Sequence, residues 1–380
     1  MARIRLALLG LYPISGVATG GAEKVCCQLA SVLARREDLD VHVICPDRGA
    51  SADRGFDRGS VHVHAIGCKK PVPMGVYHYL GLRKRVVNLI DDLSPDVAHA
   101  QDPAYGLWAA EAGIPTVTTV HGMYGREAAF IRGARRLMAR VHLRSFRKAL
   151  RKARFLISIN PYVQEELGAC TDAAFFPIAN PVNPRFFDLD PDRAQAGRVL
   201  YVGLLIRRKC VLELLQAFGS VWHDHPRARL CLVGDRRDEA YPRRLREYVA
   251  EAGLGDAVSF LGTVSEEQLL QEYERAAMVV LMTRQETAPG SIAEAMAAGK
   301  AVVSTRVCGI PYMVDEGETG LLAEVDDVEG FAARMARLLQ DPGLCRRMGQ
   351  RGREKALREF HPDRVAEETV KVYRRVVDEW

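Results

Sequence analysis

Short apolar runs alternate with stretches in which apolar residues return every three to four positions, and the alternation occurs twice along the chain. In the first half the runs cover 3–11, 41–46, 61–66, 96–101, 116–121, 155–160 and 175–179, with helical periodicity over 23–36 and 76–92. In the second half they cover 198–205, 229–234, 258–261, 278–283, 301–305 and 321–325, with helices predicted over 211–222, 242–252 and 266–276. Several runs are apolar at every position rather than at alternate ones. Such a strand has both faces covered, as in a parallel sheet layered between helices. Repeated strand–helix order therefore predicts two doubly wound α/β domains.

The segment 179–198 breaks the pattern, with three prolines, six charges of mixed sign and no apolar period. It reads as the connector. The predicted division is a first domain at 1–183, a linker at 184–197, a second domain at 198–363 and a last helix at 364–380. That helix carries Val365, Thr369, Val372 and Val376 on one side, and no strand follows it.

Length and composition fit this picture. The chain has 380 residues, 48% of them apolar and 27% charged, which is core material for two globular domains. No apolar run reaches the roughly 18 residues of a membrane span. The opening MARIRLALLGLYP leads into a Gly-rich turn without a small-residue cleavage site, so it reads as a first strand. Nine scattered cysteines without a C-x-x-C pair predict reduced thiols and a cytoplasmic protein. His62 and His64 alternate on a strand, and His223 and His225 flank Asp224; a metal site would need further ligands at either pair, so none is expected. Asp188-Leu189-Asp190 has the D-x-D form of metal-dependent transferases, but it falls in the connector and reads as chance.

Charge changes the picture locally. The net charge is +5, yet residues 1–185 hold 25 Lys and Arg against 16 Asp and Glu, while the remainder holds 28 against 32. The segment 130–155 has ten basic residues and no acid. Its apolar residues Ile131, Leu137, Met138, Val141, Phe146 and Leu150 roughly share a side. Two readings stay open: a solvated helix, or an amphipathic surface for anionic lipid that would make the protein peripheral on the inner face of the plasma membrane. Nucleic-acid binding through the same segment is a third use. An acidic second half without a binding motif speaks against it.

In open α/β sheets, ligands bind beyond the carboxyl ends of strands, where loops meet helix N-termini. The stretch RQETAPGSIAEAMAAGKAVV, residues 284–303, stands at such an end. Glu286 follows a run that closes near Thr283, and Pro289, Gly290 and Ser291 open a helix that stops at Gly299. The amides of Gly290 and Ser291 lie at a positive dipole end suited to phosphate. Glu294 can project into the same crevice. Carboxylates accept hydrogen bonds from vicinal hydroxyls, so a helix start between two of them suits a nucleotide-sugar. The competing reading makes Ser291-x-x-Glu294 a capping box and Glu286 a solvated loop acid.

Arg207, Arg208 and Lys209 follow the first strand of the second half, where cations can neutralise a diphosphate. In the first half Gly20-Gly21 opens a helix, and Gly21 lets backbone approach a ligand. This is not the G-x-G-x-x-G of dinucleotide binding. His121, at a strand end and followed by Gly122, is a further candidate.

With these motifs the chain resembles the retaining glycosyltransferases of family 4, also called glycosyl transferases group 1. The resemblance is carried by the E-x7-E element ETAPGSIAEAMAAGKAVVSTRVCGIPYMVDEGETGLL and, more weakly, by GGAEKV and TVTTVHG. It implies the GT-B fold: two Rossmann-like doubly wound parallel-sheet domains facing across a cleft, with the last helix crossing back to the first. The first domain would bind acceptor and the second the nucleotide-sugar. Lys209 would hold the donor diphosphate. Glu286 and the backbone of Ala288, Pro289 and Gly290, continuing to Ser291, would hold sugar and phosphate, and Glu294 the ribose. Gly21 would lie under the diphosphate, and His121 would contact the sugar. Loops at Gly234-Asp235 and at Thr263-Val264 would line the base pocket.

Three departures stand out. The family pattern G-R-L reads Gly203-Leu204-Leu205 here, and Arg208, beside Lys209, is the candidate replacement for the missing arginine. The pattern E-x-F-G reads Glu286-Thr287-Ala288-Pro289, and K-G reads Lys209-Cys210. The expected activity is a hexosyltransferase of polysaccharide biosynthesis, with His121, Arg208, Lys209 and Glu286 as catalytic residues. It would use a UDP- or GDP-sugar as substrate and a lipid-linked or cell-surface glycan precursor as acceptor, with retention and without metal or cofactor. The alternative is a non-catalytic sugar- or nucleotide-binding protein.

Overall fold

The computed structural model describes residues 3–16, 18, 20–68, 81–123, 125, 135–234 and 240–380, leaving aside the side chains of 135–139 and 142. The chain divides into two compact units, one made of Met1–Pro181 with Pro362–Trp380 and the other of Val182–His361.

The first unit contains β1 (Ile4–Leu9), α1 (Gly21–Leu33), β2 (Leu39–Asp47), β3 (Arg54–Arg58), β4 (Val61–Gly67), α2 (Arg83–Leu93), β5 (Val97–Ala100) and α3 (Pro103–Glu111). It continues with β6 (Thr116–Val120), α4 (Arg135–Lys152), β7 (Phe155–Ser158), α5 (Pro161–Leu167) and β8 (Ala174–Pro177). Its eight strands run in the order β3-β4-β2-β1-β5-β6-β7-β8. All neighbours are parallel except β3, which is antiparallel to β4. The inner strands β5, β6 and β7 are buried at every residue, which is why they read as continuous apolar runs. Strand β3, RGFDR, is a mostly exposed edge, and its lack of an apolar period left it out of the sequence reading.

The second unit contains β9 (Arg198–Val202), α6 (Val211–Asp224), β10 (Arg229–Val233), α7 (Ala240–Glu251), β11 (Val258–Gly262), α8 (Glu266–Arg275) and β12 (Met278–Leu281). After these come α9 (Gly290–Ala297), β13 (Ala301–Thr305), α10 (Ile310–Met313), β14 (Gly320–Ala323), α11 (Val328–Gln340) and α12 (Pro342–Glu359). The sheet order is β11-β10-β9-β12-β13-β14, all parallel. Strand order reverses between β9 and β12. Loops leaving that pair diverge to opposite sides, and a crevice opens at their carboxyl ends.

The last helix, α13 (Pro362–Glu379), packs on the first unit. Val365, Ala366, Val370, Val372, Tyr373 and Val376 join one core with the apolar faces of α1, β1, β2 and β4. On the opposite face of the sheet, α2 and α3 cover a second core that includes Leu9, Ile44, Ala98 and Trp108. The helical period expected over 76–92 is met by α2 for its later part, and 76–80 lies outside the described residues.

Residues 184–197 are not a free connector. They belong to the second unit and form 3-10 turns at Pro184–Phe186 and Pro191–Arg193. Phe186 is buried edge-on against the Tyr273 ring at 5.1 Å. Arg353 Nη1 donates to Leu189 O at 2.9 Å, and Lys300 Nζ to Pro191 O at 3.2 Å. Asp190 of the D-x-D accepts from the Asp192 amide, so it caps a turn. A stretch without periodicity still packs when side chains, its own and those of neighbouring elements, satisfy its backbone.

Candidate active site

In the second unit the site begins where β9 and β10 end. Gly203 donates its amide to Val233 O at 2.9 Å, and Gly234 donates to Gly262 O at 2.9 Å. A Cβ on Gly234 would collide with the Gly203 carbonyl, so these two backbones touch only because position 234 has no side chain. Asp235 lies outside the described residues. Val264, half-buried, follows β11 along the same edge of the sheet.

After Gly203 the chain turns through the 3-10 segment Arg207–Lys209 into α6. Cys210, standing where the family pattern has glycine, adopts a left-handed conformation with φ 45°. The turn is tied to the end of β12: the Arg284 amide donates to Arg208 O at 3.0 Å, and Thr283 Oγ1 donates to the same carbonyl at 3.1 Å. The result is that two cations meet one carboxylate. Arg208 Nη1 lies 2.8 Å from Glu286 Oε1 and also donates to Gln285 O, while Lys209 Nζ pairs with the same Glu286 oxygen. Burial pushes the Glu286 carboxyl up, but Lys209 and then Arg208 outweigh it and hold it below the usual carboxylate range. Glu286 is therefore not a solvated loop acid. Its side chain is only 14% exposed.

Helix α9 starts at Gly290 with Pro289 as its N-cap and no side-chain cap. That disposes of the capping box, since Ser291 is not the cap and a proline has no N–H for Glu294 to accept. For the same reason Pro289 offers no amide to a phosphate, and the donors available there are Ala288, Gly290 and Ser291. Glu294, 5% exposed, accepts at Oε2 from the hydroxyl of Tyr273 at 2.8 Å. Tyr273 is completely buried. Burial first, and then Glu294, push its pKa well above the ordinary value, so it remains a donor.

The candidates of the first unit lie beyond β1, β5 and β6. Gly21 opens α1 behind Gly20, and a Cβ at either glycine would meet nothing within 4 Å. His121 follows β6, and its Nε2–H donates to Gln101 Oε1 at 2.7 Å. Gln101 Nε2 donates to His99 Nε2 at 3.0 Å, and His99 Nδ1 meets Tyr373 Oη of α13 at 2.7 Å. Burial lowers the His121 pKa to about 4 and, together with the nearby His121, lowers that of His99 to about 3. Both rings are thus neutral around pH 7, and Gln101 fixes the His121 tautomer with the proton on Nε2.

Sequence reasoning missed Tyr273, Gln285, Gln101, His99 and Tyr373. Tyr273 and Tyr373 sit in the apolar period of amphipathic helices and look like core. Their partners are set by tertiary packing. Among the described residues no group of three or more His, Cys, Asp or Glu is arranged to hold a metal ion. His64 instead bonds to His42 at 3.0 Å.

Two family descriptions match the chain: "Glycosyltransferase Family 4" over residues 19–186 and "Glycosyl transferases group 1" over 192–355. A glycogen synthase of Mycobacterium tuberculosis is 28% identical over 305 residues, covering 77% of this chain and 72% of that protein. A D-inositol 3-phosphate glycosyltransferase of Acidothermus cellulolyticus is 33% identical over 189 residues, or 48% of this chain and 41% of that one. Among solved structures, the sucrose-phosphate synthase of Thermosynechococcus elongatus superposes with a TM-score of 0.84 over 100% of both chains at 22% identity. Anabaena HepE, in complex with UDP-glucose, gives 0.76 over 98% of this chain and 100% of that one at 17% identity. Likeness at this level of identity establishes the fold, and the two family matches between them span most of the sequence. The chain belongs to the group 1, family 4 glycosyltransferases and has their GT-B fold.

Proposed function

We propose that the protein moves a hexose from a UDP- or GDP-sugar to a hydroxyl of a lipid-linked or cell-surface glycan precursor, with retention and without a metal ion. The observation that carries this reading is the meeting of Arg208, Lys209 and Glu286 at the switch point between β9 and β12, beside the N-terminus of α9. Cations and helix amides there suit a diphosphate, and the flanking carboxylates suit sugar hydroxyls. The solved complexes of HepE with UDP and glucose support the donor class, and the lipopolysaccharide outer core galactosyltransferase WaaB, with a TM-score of 0.67, supports a surface-glycan acceptor.

In this mechanism the bond from the anomeric carbon to the leaving phosphate oxygen breaks, giving an oxocarbenium-like state. The acceptor oxygen bonds to that carbon on the same face, and its proton passes to the departing diphosphate. Arg208, Lys209 and the amides of α9 stabilise the charge that develops on the leaving group. Glu286 holds the sugar and Glu294 the ribose. Gly203 admits the diphosphate, and Gly234 and Val264 line the base. Positioning replaces a general base.

The test is a donor screen over UDP-, GDP- and ADP-sugars, scored by hydrolysis and by thermal shift. One nucleotide should raise the melting temperature in wild type and not in Glu294→Ala, chelator should leave activity intact, and the product anomer should match the donor. Nucleotide binding without any turnover would sink the enzyme reading and leave a binding protein.

A further inference from the structure

Helix α4 is divided by charge. Phe146, Ala149 and Leu150 are buried, and the helix packs against α3. The outer face presents Arg140, Val141, Arg144, Arg147, Lys148, Arg151 and Lys152, all exposed. At about 100° per residue, positions 140, 144, 147 and 151 form one line along the helix, with 141, 148 and 152 forming a second line beside it. Such a face on a solvated helix ordinarily interleaves acids four residues from bases, whereas like charges at that spacing repel. Here cations stand at 140 and 144, 144 and 148, 147 and 151, and 148 and 152. Among the described residues the sole carboxylate in ion-pair reach of this face is Glu111, 3.7 Å from Lys152, and it also pairs with Arg83 at 2.9 Å.

A second observation bears on what covers the face. Just past the helix, Arg154 donates to the main-chain oxygens of Trp380 and Glu379 and lies over the Trp380 ring at 5.2 Å. That holds a 36% exposed indole beside the last turn of α4. An indole pinned next to a cation row, with Val141 exposed within the row, suits the headgroup level of a bilayer, where aromatic side chains concentrate. No helix among the described residues is long and apolar enough to cross a membrane, so contact would be peripheral.

We propose that the outer face of α4, with the Trp380 indole, docks the protein onto an anionic lipid bilayer. The attraction is that of a cation cluster for negatively charged headgroups, screened over roughly 10 Å at 0.1 M salt. It is independent of the donor chemistry at Glu286.

The experiment uses the full chain with vesicles of phosphatidylcholine alone or with about 30% phosphatidylglycerol, at about 0.1 and 0.5 M salt. Binding should be at least about tenfold tighter with phosphatidylglycerol and should vanish at the higher salt. The Trp380 emission should shift to the blue on binding, and Trp380→Phe should lose the shift. The triple variant Arg144→Gln/Arg147→Gln/Arg151→Gln should lose at least about tenfold in vesicle affinity, with donor hydrolysis and melting temperature unchanged. The corresponding Glu triple should lose more. Equal affinity for neutral vesicles, no vesicle binding, an unimpaired Gln triple, or binding confined to duplex DNA or heparin would each overturn the proposal.

Discussion

The hydroxyl of Tyr273 donates to Oε2 of Glu294 at 2.8 Å, and this bond fixes the rotation of the carboxylate on α9. A hydroxyl that holds one oxygen in place also sets the direction of the other. Tyr273→Phe removes the bond and little volume, and a hydrogen bond to a charged group contributes about 1.5–3 kcal/mol. The expected result is a rise of about tenfold in donor KM with kcat within about twofold. Titration with UDP and with its 2′,3′-dideoxy analogue checks the cause. The substitution should weaken UDP and leave the dideoxy compound unaffected, whereas equal weakening of both would mean a merely structural role.

Arg208 reaches Glu286 from a position four residues after Leu204, the place where the family pattern has its arginine. If Arg208 takes over that charge, Arg208→Gln should lower kcat/KM by about a hundredfold. Adding Leu204→Arg should recover part of the loss. Steady-state kinetics on the two variants decide the matter, and no recovery would show that the cation is needed at 208 itself.

The same ion pairs make a pH prediction. The folded-state pKa of Glu286 lies below its ordinary 4.5, so the pairing contributes stability that is fully present above that value. It is lost as pH falls through the lower folded-state pKa. Denaturant midpoints across this range should slope more steeply in wild type than in Glu286→Gln.

His121, with its pKa lowered to about 4, stays neutral from there upward, while an unfolded histidine takes up its proton near 6.5. Between those values the unfolded chain binds more protons, so the native state gains stability as pH rises from about 4 to 6.5. Gln101→Glu would place a carboxylate on the imidazole Nε2–H and raise the His121 pKa. Histidine ring proton shifts in NMR titrations should move the His121 midpoint upward in that variant. An unchanged midpoint would mean that Gln101 does not set the ring's protonation.

A structural prediction concerns α12. Its buried face is Cys345, Met348, Gly349, Gly352, Lys355 and Ala356, and a Cβ on Gly349 would collide with the Gly299 carbonyl. Gly349→Ala should therefore cost about 3 kcal/mol and lower the melting temperature by roughly 6–12 °C. Calorimetry checks it.

That face also explains why the helix was illegible beforehand. Two glycines, an alanine and a lysine give no apolar stripe, although they permit close packing on α9 and β13. Inner strands such as β12, buried at all four residues, were plain in the sequence because burial on both sides leaves only apolar residues. Edge strand β3 was not, since it is mostly exposed and Phe56 is its one apolar side chain. At the candidate site, Lys209 and Glu286 could be singled out because they follow strand ends, and Glu294 because it stands near the start of the next helix. Tyr273 and Gln101 could not, because a lone polar group in an apolar setting shows its purpose only once its partner is folded against it.

The first unit takes residues from both sides of the second, since α13 completes a core begun by β1. During synthesis the contiguous stretch 182–361 can close as soon as it leaves the ribosome, while the earlier-made unit waits with an uncovered apolar face. Chains ending at residue 361 and released from the ribosome should therefore be protease-sensitive in their first 181 residues and resistant in the remainder.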